Sequence, residues 1–358
     1  MRFALLVLVV VLISFGLTDG FARREILTPQ QKEVLAKIQR VQIEVVALTE
    51  HGAADAAPLH DVVGRRLQEI EYTIVPSPSE PHDALLRVKC EQNKVWEGTM
   101  ASGGDADLPD SPSRVWKGPA CQFRYLVQGK QSDWRKEVRT EFVDARQAAE
   151  SAKAGDPAAY AMAKLKERLE DYDFPIRLAA EWGHEDRLLK TFDASGTSKP
   201  RKLLIIALLG EMFSAKAAPR LTTALKDPDV DIAKASAVAL GNIGQRESIP
   251  ALIELLKSHN RELRIAAAKG LGQVGAFHGD NSIIPPLLDA LNTDDLELKT
   301  EVVWALGKLP DRRAYEPLRQ LQASLLNVRT SDRSSQEAKL WDAVSYSLKQ
   351  LDAFDQLN

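Results

Sequence analysis

Cysteine is nearly absent from this chain of 358 residues, which has only Cys90 and Cys121. No cysteine follows the leading apolar run before Cys90, and this argues against a lipid anchor at the start of the mature chain. A basic excess is also missing: 47 Lys and Arg stand against 50 Asp and Glu, for a net charge of −3. Such a balance argues against a nucleic-acid partner, which is normally advertised by a basic patch. Beyond the first 17 residues no stretch is long and apolar enough to cross a bilayer. There is no G-x-S-x-G elbow, and the glycine pairs of GNIG and GQVG have no preceding strand and no P-loop lysine, so they are not a phosphate cradle.

What is present begins with Met1-Arg2 and the uninterrupted run FALLVLVVVLISFGL from Phe3 to Leu17. A positive flank and a short apolar core are the marks of an export signal. Gly20, Phe21 and Ala22 offer small residues where a signal peptidase reads, so residues 1–22 are expected to be a signal peptide cut after about Ala22, or else an uncleaved N-terminal anchor. The remainder is then expected outside the cytoplasm, periplasmic or anchored to the inner membrane facing the periplasm. In an oxidising compartment Cys90 and Cys121 can pair, the alternative being two separate buried thiols.

The length suits two domains. Residues 27–172 are expected to form a small α+β domain. Thr28-Pro29-Gln30-Gln31 is a capping box with proline at the first helical position, predicting a helix to about Ile38. Strands are predicted over 41–48, 84–90, 121–127 and 134–142, with a helix over 59–71 between the first two. Gly98 to Ser113 reads as a long polar loop, and a helix over 157–172 is led by Asp156. The order β-α-β-β-β-α predicts one sheet with helices on one face. By element order and export signal, this part resembles the small α/β modules of bacterial envelope proteins and lipoproteins.

Residues 173–358 carry a repeat. Gly210, Gly241, Gly272 and Gly307 each follow a leucine and recur after 31, 31 and 35 residues, the length of two helices and their turns. Positions four and five before the glycine are small or aliphatic, and each glycine is expected to stop its helix in a left-handed turn. Pro219 and Pro250 follow their glycines by nine residues and start a second helix; Pro285 is displaced by four, which places an insertion at Ala276 to Asn281. Glu316 takes the proline slot of the fourth unit.

ALGNIG at Ala239 to Gly244 and LRIAAAKGLGQVG at Leu263 to Gly275, each with IP or IPP downstream, resemble HEAT repeats, specifically the short variety named after phycobilisome lyases. The resemblance covers about Lys199 to Leu326, with irregular units at either end. It implies a right-handed, all-α solenoid whose second helices line a concave face.

The same family includes chromophore lyases and an iron-dependent hydroxylase that uses several His-Glu pairs as metal ligands. Here His184-Glu185 is the one such pair, and one pair cannot hold a metal site. His51, His60, His82, His259 and His278 are scattered. Asp105, Asp107 and Asp110 lack the glycine and glutamate framework of a calcium loop. No catalytic residue, cofactor or metal is therefore assigned.

Partner contact is expected on the second helices, opposite their core positions: Thr222, Thr223, Lys226, Glu254, Lys257, Asp289, Asn292, Arg319, Gln320 and Gln322. His278 and Asp280 in the insertion are a further candidate, because insertions in solenoids map to loops on one face. Trp304 and Trp341 are read as filling gaps between units. The resulting expectation is an exported, non-catalytic scaffold of the bacterial envelope that holds an unidentified protein partner, touching membrane only through an uncleaved N-terminal segment. Two rivals stand beside it: an enzyme or cofactor-handling protein of the lyase type, and an N-terminal domain that binds a small ligand or peptidoglycan with the repeats as a brace.

Overall fold

The computed structural model describes residues 27–98, 114–140, 149–150, 153, 155–309, 311–326 and 334–356. The expected signal segment lies outside them, as do Asp105, Asp107, Asp110 and the end of the strand expected over 134–142. Contacts divide the chain into one unit of residues 1–65 and 72–171 and a second of residues 66–71 and 172–358.

The first unit opens with helix α1 (Pro29–Leu35), whose Thr28 and Gln31 exchange side-chain and backbone bonds in a capping box. β1 (Arg40–Thr49) follows, then β2 (Gly52–Ala54), α2 (Ala57–Gln68) and β3 (Thr73–Val75). β4 (Ala84–Gly98) and β5 (Arg114–Val127) are the long central strands, and β6 (Lys130–Gln131), β7 (Lys136–Arg139) and α3 (Pro157–Asp171) close the unit. In the sheet the path is β2-β1-β4-β5-β6, with β3 beside β1 and β7 beside β5. β1 runs parallel to β4 and antiparallel to β2, so the connection from β1 to β4 crosses over through α2.

Alternation decides which face is covered. Leu86, Val88 and Cys90 are buried while Arg87 and Lys89 are exposed, the period-two pattern of a sheet with one wet face. On that wet face Arg87 pairs with Glu44 across β1 and β4 at 2.6 Å. On the other, Gly64 of α2 sits over Ile43, and α3 packs on β4, β5 and β7 through Ala161, Leu165 and Leu169. Cys90 and Cys121 face each other in register on β4 and β5, and their sulfurs are bonded at 2.06 Å.

The second unit contains α4 (Phe174–Glu181), α5 (Glu185–Asp193), α6 (Lys199–Glu211), α7 (Ala218–Ala224), α8 (Val230–Ile243) and α9 (Ile249–Leu256). α10 (Arg261–His278), α11 (Ile284–Leu291), α12 (Leu296–Gly307), α13 (Tyr315–Leu326) and α14 (Ser335–Gln356) complete it. Helices with the glycine (α6, α8, α10, α12) alternate with helices led by proline (α7, α9, α11), and a short 3-10 turn precedes each of the latter. The N-termini of α8, α10 and α12 are capped by Asp229, Asn260 and Asp295, whose side chains accept N–H bonds from the first helical turn.

Two expectations are corrected here. The repeat glycines do not stop their helices: Gly241 and Gly272 lie inside α8 and α10, and the left-handed residues come later, at Gly244 (φ 72°) and Gly279 (φ 58°). Nor is the insertion a loop. The four added residues extend α10 by one helical turn to His278, and the left-handed stop moves from three to seven residues beyond the repeat glycine.

Candidate functional site

The glycine helices form a ladder because their meeting positions have almost no side chain. A Cβ at Gly241 would lie 2.8 Å from the Cα of Gly270, and one at Gly272 would lie 2.7 Å from the Cα of Ala305. Gly210 meets Ala239 and Gly307 meets Ser347 in the same register, so α6, α8, α10, α12 and α14 pack backbone against backbone. The proline helices make at most marginal contact with one another; each packs instead on the glycine helix that follows it, α7 on α8 and α9 on α10.

Ion pairs join the rungs along both edges of the ladder. On one edge Lys199 reaches Asp229 and Asp231 at 2.8 and 2.7 Å, Lys234 reaches Glu262 at 2.6 Å, and Arg261 reaches Asp295 and Glu297 at 2.6 and 2.7 Å. On the other, Arg220 pairs with Asp193 at 2.8 Å and Arg246 with Asp280 at 2.7 Å. Each exposed pair contributes only about 0–1 kcal/mol, and each links one rung to the next.

His278 and Asp280 belong to this framework. The His278 ring nitrogen Nε2 lies 2.6 Å from the Gly244 carbonyl oxygen of the preceding rung. Asp280 is buried and accepts from the Ser282 N–H at 3.0 Å and from Arg246 Nε. Hydrogen bonding from Ser282, aided by Arg246, lowers its pKa to about 2.

The ten side chains expected to meet a partner are half-buried or exposed, but they are divided among four helices and their ends. Thr222 and Thr223 bond back to the carbonyls of Ala218 and Pro219, and Glu254 lies 3.5 Å from Lys257. Asp289 accepts the N–H of Asn292 at its carbonyl, and Lys226 donates its backbone N–H to Thr223. Arg319 covers the Tyr315 ring, Gln320 is exposed beside it, and Gln322 donates to Ser345 at 3.4 Å.

A different row emerges on the glycine helices themselves. Three residues before the glycine stand Ala207, Val238, Lys269 and Trp304, and Tyr346 is the equivalent residue on α14 by its position one before Ser347. Ala207, Lys269 and Tyr346 are exposed, the last by 50%, and Val238 and Trp304 are half-buried. Trp304 and Tyr346 meet at 5.2 Å between ring centroids. The signal for this row was in the sequence: the same register that defines the glycine defines it, and Lys269 and Trp304 break its run of small residues.

Comparison with known proteins agrees with this geometry. The family model described as HEAT repeats matches residues 186–272 and 249–330. The C-terminal half is built of HEAT repeats.

No curated protein matches the chain. Among solved structures, a designed armadillo repeat protein in complex with peptide (KR)4 is 19% identical, with 56% of this chain and 98% of that one covered and a TM-score of 0.37. The complex of CpcE and CpcF of phycocyanin lyase from Nostoc sp. PCC7120 is 17% identical, with coverage of 49% and 88% and a TM-score of 0.27. Human deoxyhypusine hydroxylase is 13% identical, with coverage of 58% and 90% and a TM-score of 0.25.

Within the HEAT half, His184 precedes α5 and is buried with its ring edge-on to Trp182, while Glu185 accepts from Ser214 Oγ at 2.6 Å. Among the described residues no group of three or more His, Cys, Asp or Glu side chains is placed to hold a metal ion. A cleft of about 290 Å³ is lined by Glu69, Glu71, Arg187, Lys190, Thr197 and Arg201. Its cations are already engaged: Lys190 with Glu71, Arg201 with Asp173 at 2.6 Å, and Arg187 with the Ile70 carbonyl at 2.5 Å.

Proposed function

We propose that the protein is an exported, non-catalytic scaffold of the cell envelope that holds a partner protein on its HEAT half. The observation that carries this reading is the exposed row on the glycine helices. Among the described residues Lys269 and Lys308 form no ion pair, and the Trp304–Tyr346 pair presents aromatic surface at solvent. Aromatic side chains at the surface are enriched where proteins bind one another.

Export is supported by the apolar run of Phe3 to Leu17 and by the Cys90–Cys121 bond, since disulfides persist where the surroundings are oxidising. Purification of the tagged full-length chain from the periplasmic fraction, followed by identification and rebinding of whatever accompanies it, tests the reading. A protein partner that rebinds at micromolar concentration is expected. Failure to retain any protein, or recovery of the chain only from the cytoplasm with both thiols free, contradicts it.

A further inference from the structure

Within the second unit the rungs of the ladder touch backbone to backbone on the glycine side, whereas the proline helices make at most marginal contact with one another. The exposed row of the glycine helices runs along one side of the stack, where an elongated partner segment meets several rungs at once.

The end of that row formed by α10, α12 and α14 has a particular chemistry. Lys308 lies one helical turn beyond Trp304 on α12, so the two share a face. Lys269 holds the position equivalent to Trp304 on the neighbouring rung. Among the described residues neither lysine has an ion-pair partner; both are exposed, although neighbouring groups crowd the Lys308 amine. Burial pulls its pKa below the ordinary lysine value, Glu301 works in the other direction, and Lys269 adds to the lowering. Two exposed ammonium groups on one side of the stack favour carboxylates in a segment that binds there. The Trp304 and Tyr346 rings, tilted by 54° at 5.2 Å, provide an apolar platform alongside.

We propose that this face binds an extended acidic segment of the partner protein, with carboxylates on Lys269 and Lys308 and a neighbouring apolar side chain on Trp304 and Tyr346. The inference rests on the scaffold reading and adds the surface and the chemistry it selects. Electrostatic complementarity of this kind sets partner choice and association rate.

Fluorescence anisotropy with the full-length chain tests it, using labelled peptides of alternating glutamate and leucine or of alternating lysine and leucine. The glutamate peptide is expected to bind at least about tenfold more tightly, with an affinity that falls as salt rises. The double variant Lys269→Glu/Lys308→Glu should lose about tenfold or more, and Trp304→Ala several-fold. Lys226→Glu/Lys257→Glu, on the proline helices, should leave binding unchanged. If charge reversal disturbs folding, Lys269→Gln/Lys308→Gln gives the same comparison without new charge.

Equal or tighter binding of the lysine peptide overturns the inference, as does a loss confined to the Lys226→Glu/Lys257→Glu variant. A natural partner held equally by wild type and by the Lys269→Glu/Lys308→Glu variant overturns it too, and leaves the scaffold reading standing. Failure of the wild-type chain to retain any partner counts against the scaffold reading, while the peptide comparison still decides the chemistry of the face.

Discussion

Gly241 and Gly270 face each other across α8 and α10 so closely that a methyl group on Gly241 would stand 2.8 Å from the Gly270 Cα, and one on Gly270 2.8 Å from the Ala237 carbonyl oxygen. Both neighbours are backbone, which cannot swing aside. Gly241→Ala and Gly272→Ala are therefore expected to destabilise the second unit by about 1–3 kcal/mol. Helix propensity alone predicts the reverse, a gain of about 1 kcal/mol for each. Gly196→Ala, with open space around it, is the control. Urea denaturation decides the sign, and a stabilised Gly241→Ala protein would remove the basis for the ladder.

Phe213 holds a left-handed backbone, φ 54°, at the place Gly244 occupies one repeat later, and its side chain is 63% exposed. A side chain in that conformation costs about 1–2 kcal/mol, part of which returns as the greater freedom of glycine in the unfolded chain. Phe213→Gly should raise stability by about 0.5–1 kcal/mol. A loss larger than that would mean the ring makes contacts that offset the backbone strain.

Reducing the Cys90–Cys121 bond opens a loop spanning 31 residues between the two central strands of the first unit. The expected cost is about 2–4 kcal/mol. Thermal unfolding with and without reductant measures it, and titration of thiols in the denatured, unreduced protein should find none. Two reactive thiols there would contradict the pairing and weaken the argument for export.

Asp280 gives a pH dependence whose sign is fixed. Its pKa falls from the ordinary 3.8 to about 2 on folding, so the ionised form is favoured in the native state. The stability it contributes is complete above about pH 4 and is lost as the pH falls toward 2. Asp280→Asn keeps a side-chain oxygen for the Ser282 N–H but has no charge for Arg246. The variant should be less stable than wild type at pH 6 and equal to it near pH 2; parallel melting curves across that range would rule out this role for Asp280.

The register of the HEAT half was legible because close helix packing tolerates few residue types, so each meeting point leaves a glycine or alanine in the sequence. The parallel crossover from β1 to β4 was legible from alternation and from the helix between the strands. What each glycine does was not: GNIG contains two glycines, and only packing distinguishes Gly241, which admits a neighbour, from Gly244, which turns the chain. The placement of residues 66–71 in the second unit was hidden as well, because it depends on side chains such as Arg66 and Asp173, 3.0 Å apart in space and far apart in sequence. The exposed row was hidden for a third reason. A rule that looks opposite the core of the proline helices passes over helices whose packing faces are made of alanine and glycine.

The most direct test of the scaffold account is binding between the tagged full-length chain and the protein that co-purifies with it, measured beside Trp304→Ala and Lys269→Glu/Lys308→Glu. The account predicts a protein partner that rebinds the wild-type chain at micromolar concentration, and the acidic-segment inference adds that both variants weaken it. A chain that retains no protein under these conditions, while remaining folded, would contradict the central claim.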